Sequence, residues 1–207
     1  EMCIRDRFSS VPSKNNALSP KIREFIYIAI DASTTHLYLP GLKLHMENAL
    51  ALGATRDEIM EVLELTSVLG IHTCTMGVPI LMDELRKMGR GDEVDNIEYG
   101  DHEKALKESF IKNRGYWSPF WDDMLKLSPE FFECYLDFSS VPWKSGTLEP
   151  KVKEFIYIAI DTATTHLHEE GARIHIRNAL NYGATKEEIM AVSHTHLRAH
   201  ETYDHLV

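Results

Sequence analysis

Cysteine is scarce in this chain of 207 residues: Cys3, Cys74 and Cys134 are odd in number and form no Cys-x-x-Cys pair. That excludes a disulfide framework and predicts a reduced, cytoplasmic setting. Long apolar runs are missing too, the longest being the six residues Phe25 to Ile30, against the roughly 20 a membrane-spanning helix needs. No bilayer crossing is expected. Basic charge is short, with 22 Lys and Arg against 32 Asp and Glu and a net charge of −10; with no local Lys/Arg cluster, the chain would repel a phosphate backbone, which argues against nucleic acid as a partner. What is present, 43% hydrophobic and 26% charged residues, suffices for one or two globular cores.

The sequence contains itself twice, at an offset of 130 residues. Phe8-Ser-Ser-Val-Pro12 returns as Phe138-Ser-Ser-Val-Pro142, and Leu18 to Val62 set on Leu148 to Val192 gives 27 identical pairs in 45 without a gap. A repeat changes what length means, because each copy is one structural unit. Agreement stops abruptly before Phe8 and after Val192. Residues 1–7 and 193–207 are therefore expected to be non-native flanks, and the tract His194, His196, His200 and His205 to be no metal site. The expected division is a first unit over 8–88, an acidic, glycine-bearing linker over 89–101, and a second unit with its preceding helices over 102–192.

Local signals are helical almost throughout, predicting an all-α fold. Pro20 suits a first helical turn, and Gly53 and Gly183 suit the ends of Leu-rich segments. Thr55-Arg-Asp-Glu58 and Thr185-Lys-Glu-Glu188 are capping boxes, each opening a helix directly after a glycine stop. Helices are predicted over about 20–37, 41–52, 56–68 and 72–87, and another over 102–112. Trp117, Phe120, Trp121, Phe131, Phe132, Tyr135 and Phe138 are expected in the core, with Cys134 among them.

The first helix of each copy is apolar except for one stripe. Glu24, Tyr27, Asp31, Thr34 and Thr35 fall within about 100° of arc, and Glu154, Tyr157, Asp161, Thr164 and Thr165 repeat it. Such a stripe is either a solvated face or the polar wall of a pocket, in which shielded carboxylates would titrate near neutrality. Glu24 and Asp31 lie two turns apart, about 10 Å along the axis, and could flank a small substrate. On the second helix His45 has Leu42, Ala49 and Leu52 on its face, and His175 has Ala172, Ala179 and Tyr182. Each is either a core histidine or a proton-transfer group. His36 and His166 fall at the end of the first helix, where a cation favours the dipole.

The pattern KxREFIxIAI, a threonine-rich turn, then LxLHxxxALxxGATxxEIxEVL resembles the carboxymuconolactone decarboxylase family, which includes the alkylhydroperoxidase D-like proteins. The resemblance covers Leu18 to about Pro79 and Leu148 to Val192. It implies an all-helical fold, an intrachain pseudo-dimer of two tandem units, and a homo-oligomer. The family's peroxidase branch uses Cys-x-x-Cys-x-x-x-His, in which one thiolate attacks peroxide and the other resolves the sulfenic acid. Set on His45, that motif puts Tyr38 and Gly41 at the cysteine positions; set on His175, it puts His168 and Gly171 there. The redox pair is absent.

The other branch resembles the decarboxylases of aromatic-acid degradation. The resemblance implies a lyase that acts on a small carboxylated lactone or related acid by general acid/base chemistry, without cofactor or metal. His45 and His175 would donate the proton, Glu24 and Glu154 would set their protonation, and His36 and His166 would assist. Asp31, Asp161, Tyr27, Tyr157, Thr35 and Thr165 would bind the substrate. Members of this branch tend to carry a second basic or histidine residue shortly before the matching His, where this chain has Leu39-Pro40 and Glu169-Glu170. The alternatives are a peroxidase using another thiol and a non-catalytic, oligomeric binding protein for small molecules.

Overall fold

In the structure, a computed structural model that describes residues 16–199 with side chains as far as Thr195, the start and stop signals fall where the sequence placed them. Helix α1 spans Pro20–Ala32 with its proline in the first turn and the Ser19 side chain accepting from the Ile22 N–H. Helix α2 spans Leu39–Ala51, and α3 spans Arg56–Ser67 behind a complete Thr55/Glu58 capping box. Copy two repeats them as α9 (Pro150–Thr162), α10 (Glu169–Asn181) and α11 (Lys186–Ala199), and Thr185 and Glu188 exchange the same two capping bonds. Gly53 and Gly183 both sit at φ +82°, the left-handed conformation that ends a helix before a new cap.

Between the copies lie α4 (His72–Lys87), α5 (Asp92–Asp95), α6 (Asp101–Arg114), α7 (Phe120–Leu127) and α8 (Pro129–Ser145), with a 3₁₀ turn at Val68–Ile71. Among the described residues there is no strand.

Spatial grouping does not follow chain order. Among the described residues, those up to Leu69 and those from Gly146 onward form one compact unit, and Gly70 to Ser145 form another. These bounds differ from the expected boundaries at 88 and 102: the helices over 20–67 and 150–199 of the two repeats fold into a single unit, and the helices between them, with Phe138 to Pro142 of the second copy, make the second. Nor is 89–101 an inter-domain linker. It lies inside the second unit, where Val94 of α5 is buried and Asp95 pairs with Arg86 at 2.7 Å.

In the first unit α1 packs on α2 and α3 of its own copy and on α9 and α11 of the other, and α9 packs likewise on α10, α11, α1 and α3. This is why Phe25 to Asp31 are all buried: a helix covered on every side needs no polar face. One shared core holds Ile26, Tyr27 and Ile30 of copy one against Phe155, Ile158, Ala179 and Val192 of copy two. The repeats form the expected pseudo-dimer. Lys21 to Glu58 at 2.8 Å and Lys151 to Glu188 at 2.9 Å fasten the first helix of each copy to the capping box of its third.

One contact breaks the symmetry. Glu61, 3% exposed, pairs with the equally buried Lys153 at 2.8 Å and accepts from the Thr147 and Leu148 backbone N–H groups. The repeat-equivalent positions carry Ala191 and Arg23.

In the second unit Phe110, Trp121, Met124, Leu125, Phe132 and Leu136 form the core, with Trp117, Phe120 and Tyr135 against it. Phe131 and Phe138 do not join it, being about half exposed, and Cys134 is exposed as well. All three lie on the opposite face of α8 from Phe132 and Leu136, so helical periodicity separates what residue type had grouped. The run Arg56–Lys87 is long and apolar enough, by length and composition, to cross a membrane, a feature the longest uninterrupted apolar run does not reveal. Its first part, α3, is a core helix, with Val62 and Leu65 at 0% exposure beside the Glu61 ion pair.

The expected flank 1–7 lies outside the described residues, as do His200 and His205. Helix α11 continues through the junction expected after Val192, with the Thr195 hydroxyl donating to the Ala191 carbonyl at 2.8 Å.

Candidate functional site

The site grows from one packing event made twice, the laying of α2 across the polar stripe of α1. His45 Nδ1 lies 2.7 Å from Glu24 Oε2, and the Tyr27 ring stacks on the imidazole at 4.3 Å and 18°. In copy two His175 Nδ1 lies 2.6 Å from Glu154 Oε2, with Tyr157 at 4.5 Å and 30°. A carboxylate against Nδ1 holds the hydrogen on that nitrogen and leaves Nε2 for proton exchange, while the phenol ring fixes the plane of the imidazole. Asn48 donates to Glu24 at 3.4 Å and Asn178 to Glu154 at 3.3 Å, steadying each carboxylate. The two asparagines were missed in the sequence, although each stands three residues after its histidine in both copies.

From Tyr27 to Asp31, and from Glu154 to Asp161, the stripe is buried rather than solvated, and it does not flank an open gap. Tyr27 is 3% exposed, Asp31 1% and Asp161 2%. Glu24 and Asp31 do stand two turns apart, but the His45 ring fills the space between them: Asp31 Oδ2 is 4.0 Å from Nε2 while Glu24 holds Nδ1. Asp161 Oδ2 stands 3.9 Å from His175 Nε2. The apolar surroundings expected for His45 are corrected in the same way, since the groups against its ring are Glu24, Tyr27 and Asp31.

Burial pushes the Asp31 carboxyl up from 3.8 to about 7, opposed by the charge of His45. Burial does the same to Asp161, again to about 7, against His175 and with Glu154 adding to the rise. Neither oxygen of Asp31 has a hydrogen-bond partner, so no hydrogen bond offsets the loss of hydration of the charged form. These protons are held by the folded state and released by the unfolded one between about pH 4 and 7. Their stabilising contribution is therefore full below pH 4 and lost as pH rises through 7. Asp31→Asn and Asp161→Asn are expected to flatten that fall relative to the parent, measured as the difference in denaturation midpoint between pH 5 and pH 8.

Helix α1 ends at Ala32, earlier than expected, because the Ser33 hydroxyl caps the Ile30 carbonyl at 2.9 Å and Leu37 takes a positive φ of 51°. His36, Thr34 and Thr35 consequently lie on a turn beyond the helix. His36 Nε2 reaches 3.6 Å from Asp31 Oδ1, so a carboxylate rather than the helix dipole is its electrostatic partner. His166 stacks on His168 at 5.8 Å, and burial lowers its pKa. Thr35 and Thr165 are exposed and face each other across the pseudo-dimer at 3.3 Å.

Gly41 and Gly171, which the sequence showed only as residues standing at cysteine positions, make room for the buried aspartates. A Cβ on Gly41 would stand 2.2 Å from Asp31 Oδ2 and 2.6 Å from the Tyr38 ring; on Gly171, 2.2 Å from Asp161 Oδ2 and 2.5 Å from His168 Nδ1. Gly41→Ala and Gly171→Ala are each expected to cost about 1–3 kcal/mol by overpacking, read as a lower midpoint in chemical denaturation.

The class is thus an all-α pseudo-dimer with a glutamate–histidine pair in each half. The model of the carboxymuconolactone decarboxylase family matches residues 7–70 and 129–197, and the chain belongs to that family. The second match runs past the junction expected at Val192. The crystal structure of a protein from Burkholderia xenovorans LB400, provisionally assigned as a gamma-carboxymuconolactone decarboxylase subunit, is similar at 46% identity and a TM-score of 0.91, over 96% of this chain and 79% of that one. No curated protein matches significantly.

Proposed function

We propose that the protein is a lyase that removes carbon dioxide from a small carboxylated lactone or related acid by general acid/base chemistry. The observation that carries this reading is the Glu24–His45 pair at 2.7 Å and its repeat, Glu154–His175, at 2.6 Å. In such a reaction the bond to the carboxylate carbon breaks and carbon dioxide departs. The electron pair left behind spreads onto the lactone oxygens, and a proton closes the carbon.

An imidazolium whose Nδ1–H is held by a carboxylate suits that last step. Its positive charge attracts the acid and its Nε2–H can be delivered, with solvent restoring the proton afterwards. Tyr27 keeps the ring aligned, and Asn48 keeps Glu24 in place. A partly protonated Asp31 near neutrality lessens the negative charge that an anionic substrate meets.

A peroxidase cycle is poorly supported. Tyr38, Gly41, His168 and Gly171 stand where its cysteines would be, and Cys74 and Cys134 belong to the other compact unit. The test is to incubate the protein with carboxymuconolactone and related acids and to measure carbon dioxide release. Stoichiometric release with loss of the substrate carboxylate is expected; binding without release across the panel overturns the lyase reading.

A further inference from the structure

Each centre is closed around the nitrogen that would exchange a proton. Glu24 covers His45 Nδ1, and Asp31 stands 4.0 Å from Nε2. Only 8% of the His45 side chain reaches solvent, and 15% of the His175 side chain, so a ligand docks on either ring only after a neighbour moves. The element on the Nε2 side is the turn that joins α1 to α2, residues 33–38, and in copy two the turn that joins α9 to α10, residues 163–168. His36 Nε2 reaches 3.6 Å from Asp31 Oδ1, and the Tyr38 ring and Asp31 Oδ2 both crowd the place a Cβ on Gly41 would take. In copy two His168 Nδ1 and Asp161 Oδ2 crowd Gly171 in the same way.

The same turn holds backbone strain. Leu37 and Leu167 take φ of 51° and 54°, and among the described residues no other residue except glycine has a positive φ. An L side chain in that region crowds the following carbonyl, which is why glycine is its usual occupant. Packing of the leucine does little to offset the cost, since both side chains are exposed. The backbone holds the turn instead. The Leu37 N–H donates to the Ser33 carbonyl and the Tyr38 N–H to the Asp31 carbonyl, both at 2.9 Å; copy two repeats these bonds from Leu167 to Ala163 at 2.9 Å and from His168 to Asp161 at 2.8 Å. Strained residues gather at clamps and switches. Here each copy sets one over its Nε2 nitrogen, on a turn whose threonines are exposed, the kind of segment that opens locally before a core does.

We propose that the turns 33–38 and 163–168 are gates over His45 Nε2 and His175 Nε2, and that Leu37 and Leu167 are the strained residues that relax when each gate opens. Relaxation returns the leucine to a negative φ, breaks the N–H bond to the aspartate carbonyl, and draws Tyr38 or His168 off the aspartate. Leucine in place of glycine thus weakens the preference for the closed state. The inference concerns access, which any ligand of these centres needs, and so goes beyond the lyase reading.

Amide hydrogen exchange of the full chain, resolved by NMR, reads each gate. Leu37→Gly removes the strain of the closed turn and should slow exchange of the Tyr38 N–H about fivefold without changing that of His168; Leu167→Gly should do the reverse. Leu37→Val, whose branched side chain tolerates a positive φ worse than leucine, should speed the Tyr38 N–H but not the core N–H of Ile28. Access to the imidazole is read with diethyl pyrocarbonate, which acylates histidine nitrogens, and the labels are located by peptide mass spectrometry. His45 should label more slowly than His102, whose side chain is half exposed. Leu37→Gly should slow His45 further by the same factor, and Leu167→Gly should not. Equal Tyr38 exchange in the parent and Leu37→Gly overturns the proposal. So does His45 that labels as fast as His102, that labels alike in the parent and Leu37→Gly, or that stays unlabelled after His102 has fully reacted. These shifts in a protein that releases no carbon dioxide would uphold the gates while sinking the lyase.

Discussion

Replacing His45 and His175 together by alanine is expected to lower the turnover number about 10²–10⁴-fold, the range that general acid catalysis by a positioned side chain supplies. The single variants should each retain the contribution of the untouched centre, because the two imidazoles belong to separate glutamate–histidine pairs. Glu24→Gln with Glu154→Gln is the informative companion. The amide can still occupy the space beside Nδ1, but it no longer stabilises an imidazolium, so the alkaline limb of the pH–rate profile should move to lower pH while substrate binding changes less. Steady-state rates of carbon dioxide release across pH check both. A double histidine variant with parental turnover would remove these residues from the chemistry.

Breaking the buried Glu61–Lys153 pair is expected to cause the largest loss of stability of any single substitution outside the two centres. Glu61→Ala leaves the Lys153 ammonium buried opposite nothing, and strips the Thr147 and Leu148 N–H groups of their acceptor. Breaking such a pair costs about 3–5 kcal/mol, because removing one charge strands the other. The double variant Glu61→Leu/Lys153→Met should recover much of that loss, although the two backbone donors remain unsatisfied. Urea denaturation of the three proteins reads the difference directly. Equal destabilisation by the single and double variants would show that the backbone bonds, not the ion pair, dominate.

The Glu61 contacts also mark where the chain re-enters the first unit. Chain returning from the 70–145 unit must re-enter the first unit at Thr147, and Glu61 grips it there before α9 begins. Only copy one needs such a grip, since only one chain segment re-enters.

Much of the local structure was legible from residues alone. Proline at the first turn, glycine at φ +82° and the Thr-x-x-Glu boxes delimit helices through backbone sterics and orphan N–H groups, which depend on neighbours within four residues. The 130-residue duplication showed one unit held twice, and the resemblance to the family implied both the pseudo-dimer and the partnership of Glu24 with His45. The end of α1 was misplaced because Thr34 and Thr35 continued a helical stripe, while the Ser33 hydroxyl had already capped the Ile30 carbonyl. Phe131 and Cys134 were misplaced because composition says how much is buried in a segment but not which side of α8 meets the core.

The sequence by itself determined that the chain is helical, that it holds one unit twice, and which side chains could move a proton. Tertiary structure alone decided that His45 occupies the space between Glu24 and Asp31 rather than leaving it to a substrate, that the two copies and not the chain halves make a domain, and that Asp31 and Asp161 hold their protons to about pH 7. The reason is physical. A helical period states which residues share a face, but the partner of that face, and the water it excludes, are set by packing between segments far apart in the chain, and it is exclusion of water that shifts a carboxyl group.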